Sequence, residues 1–111
     1  MEKDNKKQLT LKYKSVQRLI KEFNSYVKEC NKIKEKLDKE EESKVEQYQI
    51  DKTKGFLLES ETTRDEVKKK LRIFLDELIP IVNEIQDEEL KQTEEYKTAT
   101  EVVNAGLEIF K

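Results

Sequence analysis

The chain has no histidine and no tryptophan, one cysteine, one proline and two glycines in 111 residues. Each shortage excludes something. Without histidine, the commonest general base and a leading metal ligand are gone, and with them the Glu-x-x-His pair that a ferritin-like di-iron site requires. A lone cysteine cannot close an internal disulfide or build a structural zinc site, and it fits a reducing cytosol. Scarce glycine and proline point to long helices rather than a sandwich or a barrel. No apolar run approaches the roughly 20 residues needed to span a bilayer, and Met1-Glu2-Lys3-Asp4-Asn5 lacks the apolar region of a signal peptide. Lys52-Thr53-Lys54-Gly55 lacks the glycine spacing of a phosphate loop and follows no strand, and nothing resembles an EF-hand loop. The expectation is a non-enzymatic protein with no metal and no cofactor.

What is abundant is charge. Charged residues make up 43% of the chain and hydrophobic ones 34%, yet 23 basic against 25 acidic residues leave a net of only −2. No overall field draws the protein to nucleic acid or to an anionic membrane. The basic clusters Lys32-Ile33-Lys34-Glu35-Lys36 and Lys68-Lys69-Lys70 are both flanked by acids and read as solvated helix faces rather than phosphate tracks. The apolar residues are periodic rather than diluted, which favours a folded chain over a disordered one. At this length a single domain over residues 1–111 is expected, with a modest core and no enclosed substrate chamber.

The periodicity predicts three helices. In the first, from about Asn5 to about Glu42, Leu9, Tyr13, Val16, Ile20, Phe23, Val27, Cys30 and Leu37 follow alternating steps of three and four, with Lys34 the polar exception before Leu37. Leu19, Tyr26 and Ile33 add a second seam one position away. Two adjacent seams suit a helix with two neighbours in a bundle. Cys30 falls on this inner face and reads as a packing thiol rather than a nucleophile. The stripe fades over Lys39-Glu40-Glu41-Glu42-Ser43-Lys44, the expected first hairpin. A second helix over about 48–85 carries Ile50, Leu57, Arg64, Leu71, Leu78 and Ile85, interleaved with Thr53, Ser60, Val67, Phe74 and Ile81. Thr63 and Glu66 have capping-box spacing, so a fresh helix start there is an alternative to a continuous helix. Pro80 should kink the helix without stopping it, because Ile81, Val82 and Ile85 continue the pattern. Asp87 is a suitable N-cap for a third helix over about 88–110, with Leu90, Tyr96, Ala99, Val103, Gly106 or Leu107, and Phe110 inward. The fold class is all-α, an antiparallel up-down-up three-helix bundle of the spectrin-like, coiled-coil-packed kind.

One set of residues lies outside the demands of packing. Arg18, Glu22, Ser25 and Glu29 occupy the side of the first helix opposite the seam, with Lys21 and Lys28 beside them. Val16, Arg18-Leu19, Lys21-Glu22, Tyr26 and Lys28-Glu29, followed in order by Tyr48-x-Ile50-x-Lys52, Glu59-Ser60 and Glu94-Glu95-Tyr96-Lys97-x-Ala99, resemble the tubulin-binding cofactor A family over roughly residues 9–105. Asp65 stands where some relatives have a proline, and Pro80 lies outside that pattern.

The resemblance implies a cytoplasmic, cytoskeleton-associated chaperone. Such a protein holds quasi-native β-tubulin after chaperonin release, without ATP, and passes it to other tubulin-folding cofactors for αβ-tubulin assembly. It makes Arg18, Lys21, Glu22, Lys28 and Glu29 the first candidates for tubulin contact, with Glu59, Glu94, Glu95 and Lys97 behind them. Tyr26, Ser60 and Tyr96 are assigned to packing. Arg18 and Glu22 are equally readable as an i,i+4 surface pair worth only ~0.3–0.5 kcal/mol. The competing functional class is a structural bundle or tether that self-associates through its seams, and a homodimer is compatible with either.

Overall fold

Leucine, lysine, glutamate and glutamine lose little side-chain freedom in a helix, and they dominate a chain whose regular structure, among the described residues, is helical throughout. The computed structural model describes the backbone of residues 2–111 and the side chains of residues 6–111. Helix α1 is Glu2–Glu42, α2 is Gln47–Glu84, α3 is the short Glu88–Lys91 and α4 is Glu94–Ile109. The described residues up to Lys21, together with Lys69–Lys111, form one compact unit, and Glu22–Lys68 form a second.

α1 ends in a Schellman motif that contains no glycine. Val45 N–H donates to the Glu40 carbonyl at 3.2 Å and Lys44 N–H to the Glu41 carbonyl at 3.3 Å, with Lys44 in the left-handed region at φ 53. α2 is continuous through residues 59–66. Thr62 and Thr63 donate their hydroxyls to the carbonyls of Leu58 and Glu59 at 2.8 and 3.0 Å. That back-bonding belongs to a helix interior and leaves Thr63 no role as a cap. Pro80 lies within α2, which continues to Glu84.

The expected single third helix is interrupted. Asp87 caps α3, its Oδ1 accepting from Glu89 N–H at 2.9 Å and Leu90 N–H at 3.5 Å. Thr93 then caps α4: its Oγ1 accepts from Tyr96 N–H at 3.3 Å while its hydroxyl donates to the Leu90 carbonyl at 2.6 Å. One side chain thus terminates one helix and starts the next, and this is why the chain breaks at a position with neither glycine nor proline.

The first unit holds most of the apolar core. Leu9, Tyr13, Val16 and Leu19 of α1 are buried, as are Leu71, Leu75, Leu78 and Val82 of α2, Leu90 of α3, and Ala99 and Val102 of α4. Gly106 lets α4 approach α2 so closely that a Cβ there would lie 3.0 Å from Leu75 Cδ1. Arg72 covers the Phe110 ring at 5.1 Å, and ion pairs Lys12–Glu77 at 3.2 Å and Lys6–Glu95 at 3.6 Å join elements at the surface. On α4 Ala99 is inward as expected, and of the alternatives Gly106 and Leu107 it is Gly106 that is buried, Leu107 being 37% exposed; Val102 rather than the half-buried Val103 turns inward.

The second unit is a helical hairpin. Lys68 lies 5.9 Å over Phe23, and Gln49 Nε2 donates to Glu40 Oε2 at 3.0 Å, so positions along α1 rise as those along α2 fall. Its buried centre is largely polar: Cys30 and Val67 are joined there by Glu40, Thr53 and Ser60. The seam residues Phe23, Tyr26, Val27, Ile33, Leu37, Ile50 and Leu57 are only half-buried. Phe56 and Leu58 are 47% and 66% exposed.

Candidate functional site

The heptad pattern turns one side of α1 inward and leaves the other side free of packing duties. Arg18 and Lys21 in the first unit are exposed, as are Glu22, Lys28 and Glu29 in the second. None of the five takes part in an ion pair among the described residues. The reading of Arg18 and Glu22 as a mutually satisfied surface pair therefore has no contact behind it. Their charges point to water.

The secondary candidates separate. Glu59 is exposed on α2 and is in no ion pair among the described residues. Glu94 and Glu95 occupy the first turn of α4, where carboxylates complement the positive end of the helix, and Glu95 is further tied to Lys6. Structural duties account for both. Lys97 is exposed on the following turn. Tyr26 and Tyr96 are half-buried and Ser60 is 8% exposed, consistent with packing.

Glu40 was not anticipated as a buried group. Its Oε2 accepts from Gln49, whereas Oε1 has no partner while the Thr53 hydroxyl donates to the Gln49 carbonyl at 3.2 Å. Rotation of that hydroxyl would let it donate to the carboxylate instead. Thr53 first, then Gln49, hold the Glu40 carboxyl below the usual carboxylate range, against the opposing effect of burial, and Lys36 adds a weaker pull.

Shallow concavities lie on the surface among the described residues. One of about 350 Å³ is lined by Gln8, Ile81, Ile85 and Leu90 among others, and one of about 120 Å³ by Lys12, Ser15, Phe74 and Glu77. Another, about 420 Å³, lies at the α1–α2 turn and is lined by Lys32, Glu35, Lys36, Lys39, Glu40, Ser43 and Val45. Among the described residues no group of histidine, cysteine, aspartate or glutamate is arranged to hold a metal ion, and no helix is long and apolar enough to cross a membrane. The arrangement offers solvated helix faces, suited to contact with another macromolecule's surface.

The sequence reading also missed the outward apolar residues of α2. Phe56 and Leu58 flank the seam residue Leu57 and fall outside the series Ile50, Thr53, Leu57 and Ser60; that departure was the available signal.

A search of curated proteins returned no significant match. Among solved structures, the fold is similar to the crystal structure of tubulin folding cofactor A from Arabidopsis thaliana, with a TM-score of 0.85 and 24% identity. That likeness covers 95% of this chain and 97% of the other, and at this identity it is one of fold. A sequence model of the tubulin binding cofactor A family matches residues 4–103. Taken with the helical architecture and the order of the motifs along it, this match places the chain in the tubulin binding cofactor A family.

Proposed function

We propose that this chain is a tubulin-folding chaperone that captures β-tubulin after chaperonin release and holds it for transfer to other tubulin-folding cofactors. It acts in the cytoplasm, without ATP and without catalysis. The observation that carries this reading is the family match over residues 4–103. The exposed charges on α1, in no ion pair among the described residues, support it, because exposed charge steers encounter and permits release while contributing little to tight burial. We further propose that the helices form a single antiparallel up-down-up bundle, with α3 and α4 together as the third member, and that Arg18, Lys21, Glu22, Lys28 and Glu29 contact tubulin.

The test is capture of freshly released β-tubulin from a chaperonin reaction after nucleotide is removed. A stoichiometric complex is expected, and absence of any complex overturns the function. Charge reversal at Arg18 and Lys21 should weaken capture while leaving helicity unchanged; undiminished capture removes this face from the interface. A scaffold reading draws on the half-buried seam of the second unit and on exposed Phe56 and Leu58. If light scattering finds a stable higher oligomer and tubulin is ignored, that reading replaces the first.

A further inference from the structure

The second unit carries a row of cations that the protein leaves unused. Lys28, Lys32, Lys36 and Lys39 follow one another on α1 in steps of four, four and three residues, so all four project from one face. All are exposed, and none is in an ion pair among the described residues. Lys36 is also felt by the buried Glu40 carboxylate. Four lysines along about 16 Å of helix outnumber the acids beside them, Glu35 and Glu40, and a further anionic group laid across the row relieves their mutual repulsion. Beside the last three lies the concavity of about 420 Å³, whose wall also includes Glu35, Glu40 and, as its apolar part, Val45, 36% exposed.

We infer that this ridge binds an acidic, extended segment of a protein partner, with an apolar side chain of that segment seated beside Val45. The occupant follows from charge and dimensions. A span of about 16 Å matches about five residues of extended chain, whose alternate carboxylates face the lysines. Nucleic acid and anionic membrane fit less well, because Glu35 lies within the row and Asp38, Glu41 and Glu42 flank it on the same helix. A continuous phosphate surface would be pressed against those acids, whereas a peptide can place its carboxylates at the lysines alone. The inference rests on the tubulin reading only in taking the captured protein as the source of the segment.

The experiment measures fluorescence anisotropy of a labelled peptide of about five glutamates followed by one leucine, the length set by the span of the ridge. Wild-type protein should bind it, more weakly as salt rises. Lys32→Glu with Lys39→Glu should weaken binding roughly tenfold or more, as loss of complementary charge requires. A matched reversal at Lys69 and Lys70, exposed on α2, should leave it unchanged. Lys32→Gln with Lys39→Gln supplies the same comparison if the reversal unfolds the chain. No peptide binding, binding indifferent to these substitutions, or tighter binding of a single-stranded oligonucleotide or an anionic phosphatidylserine vesicle overturns the ridge. β-Tubulin capture is measured in parallel. Capture by wild type that survives the ridge variants defeats the inference and leaves the function standing. Failure of wild type to capture tubulin defeats the function while the peptide measurement still decides the ridge.

Discussion

Lys44 holds a backbone conformation, φ 53, that costs an L-residue roughly 1–2 kcal/mol and costs glycine nothing. The two Schellman hydrogen bonds it completes are made despite that cost. Lys44→Gly should therefore stabilise the protein by about 0.5–1 kcal/mol, after the larger entropy loss of glycine is deducted, read as a higher denaturation midpoint. Gly106 is the converse case. Leu75, fully buried, stands 3.0 Å from where a new Cβ would lie. The ~1 kcal/mol helix gain of Gly106→Ala is outweighed by overpacking of ~1–3 kcal/mol, giving a net loss near ~1 kcal/mol in the same measurement. Glu40 supplies the pH dependence. Its folded-state value is lowered, so its stabilising contribution is complete above the unfolded carboxylate value and is lost as pH falls through the lower folded one. Urea midpoints measured from about pH 7 to about pH 3 should fall with acid, and Glu40→Gln should flatten that slope. Neither Lys44 nor Glu40 was legible beforehand. A lysine carries no turn signal, and a glutamate in a run of acids gives no hint that its backbone neighbour closes a helix and its side chain turns inward.

At the scale of elements, the sequence declared α1 and α2 almost to their ends, because a heptad sustained over several turns is a strong and redundant signal. The break between α3 and α4 was missed for a physical reason. Asp87 and Thr93 are both good caps six positions apart, and only the first was read as one. Thr93 is followed directly by Glu94 and Glu95, the acidic first turn of a helix start, so the information was present. Thr93→Ala removes both the cap of α4 and the bond to the Leu90 carbonyl, and should cost about 1–2 kcal/mol; Thr93→Ser should retain most of it, as chemical denaturation would report. The outward candidates on α1 were legible because they are what remains once the seams are assigned. Their lack of ionic partners was not, since rotamers decide that and spacing does not.

At the scale of the whole molecule, the two units differ in how they are filled. The first is packed with leucine and valine, whereas the centre of the second is shared among Cys30, Val67, Thr53, Ser60 and Glu40. Apolar burial is the main stabilising term, and regions with little of it open at lower free energy than the protein as a whole. Amide hydrogen exchange should find the slowest protons in the helical segments around Leu9–Leu19 and Leu71–Val82. Those of residues 24–40 and 50–66 should exchange faster, by subglobal opening. Uniform protection across α1 would show that half-buried seams suffice.

Cys30 gives that uneven filling a practical consequence. It is the chain's one thiol, 1% exposed, and it lies in the sparsely filled unit. A thiol reagent can therefore reach it only when the surrounding side chains part, and no second sulfhydryl contributes background. The unmodified protein carries its own single-site clock: the rate at which Cys30 is labelled times the breathing of that hairpin, and a bound partner that clamps the hairpin will slow it.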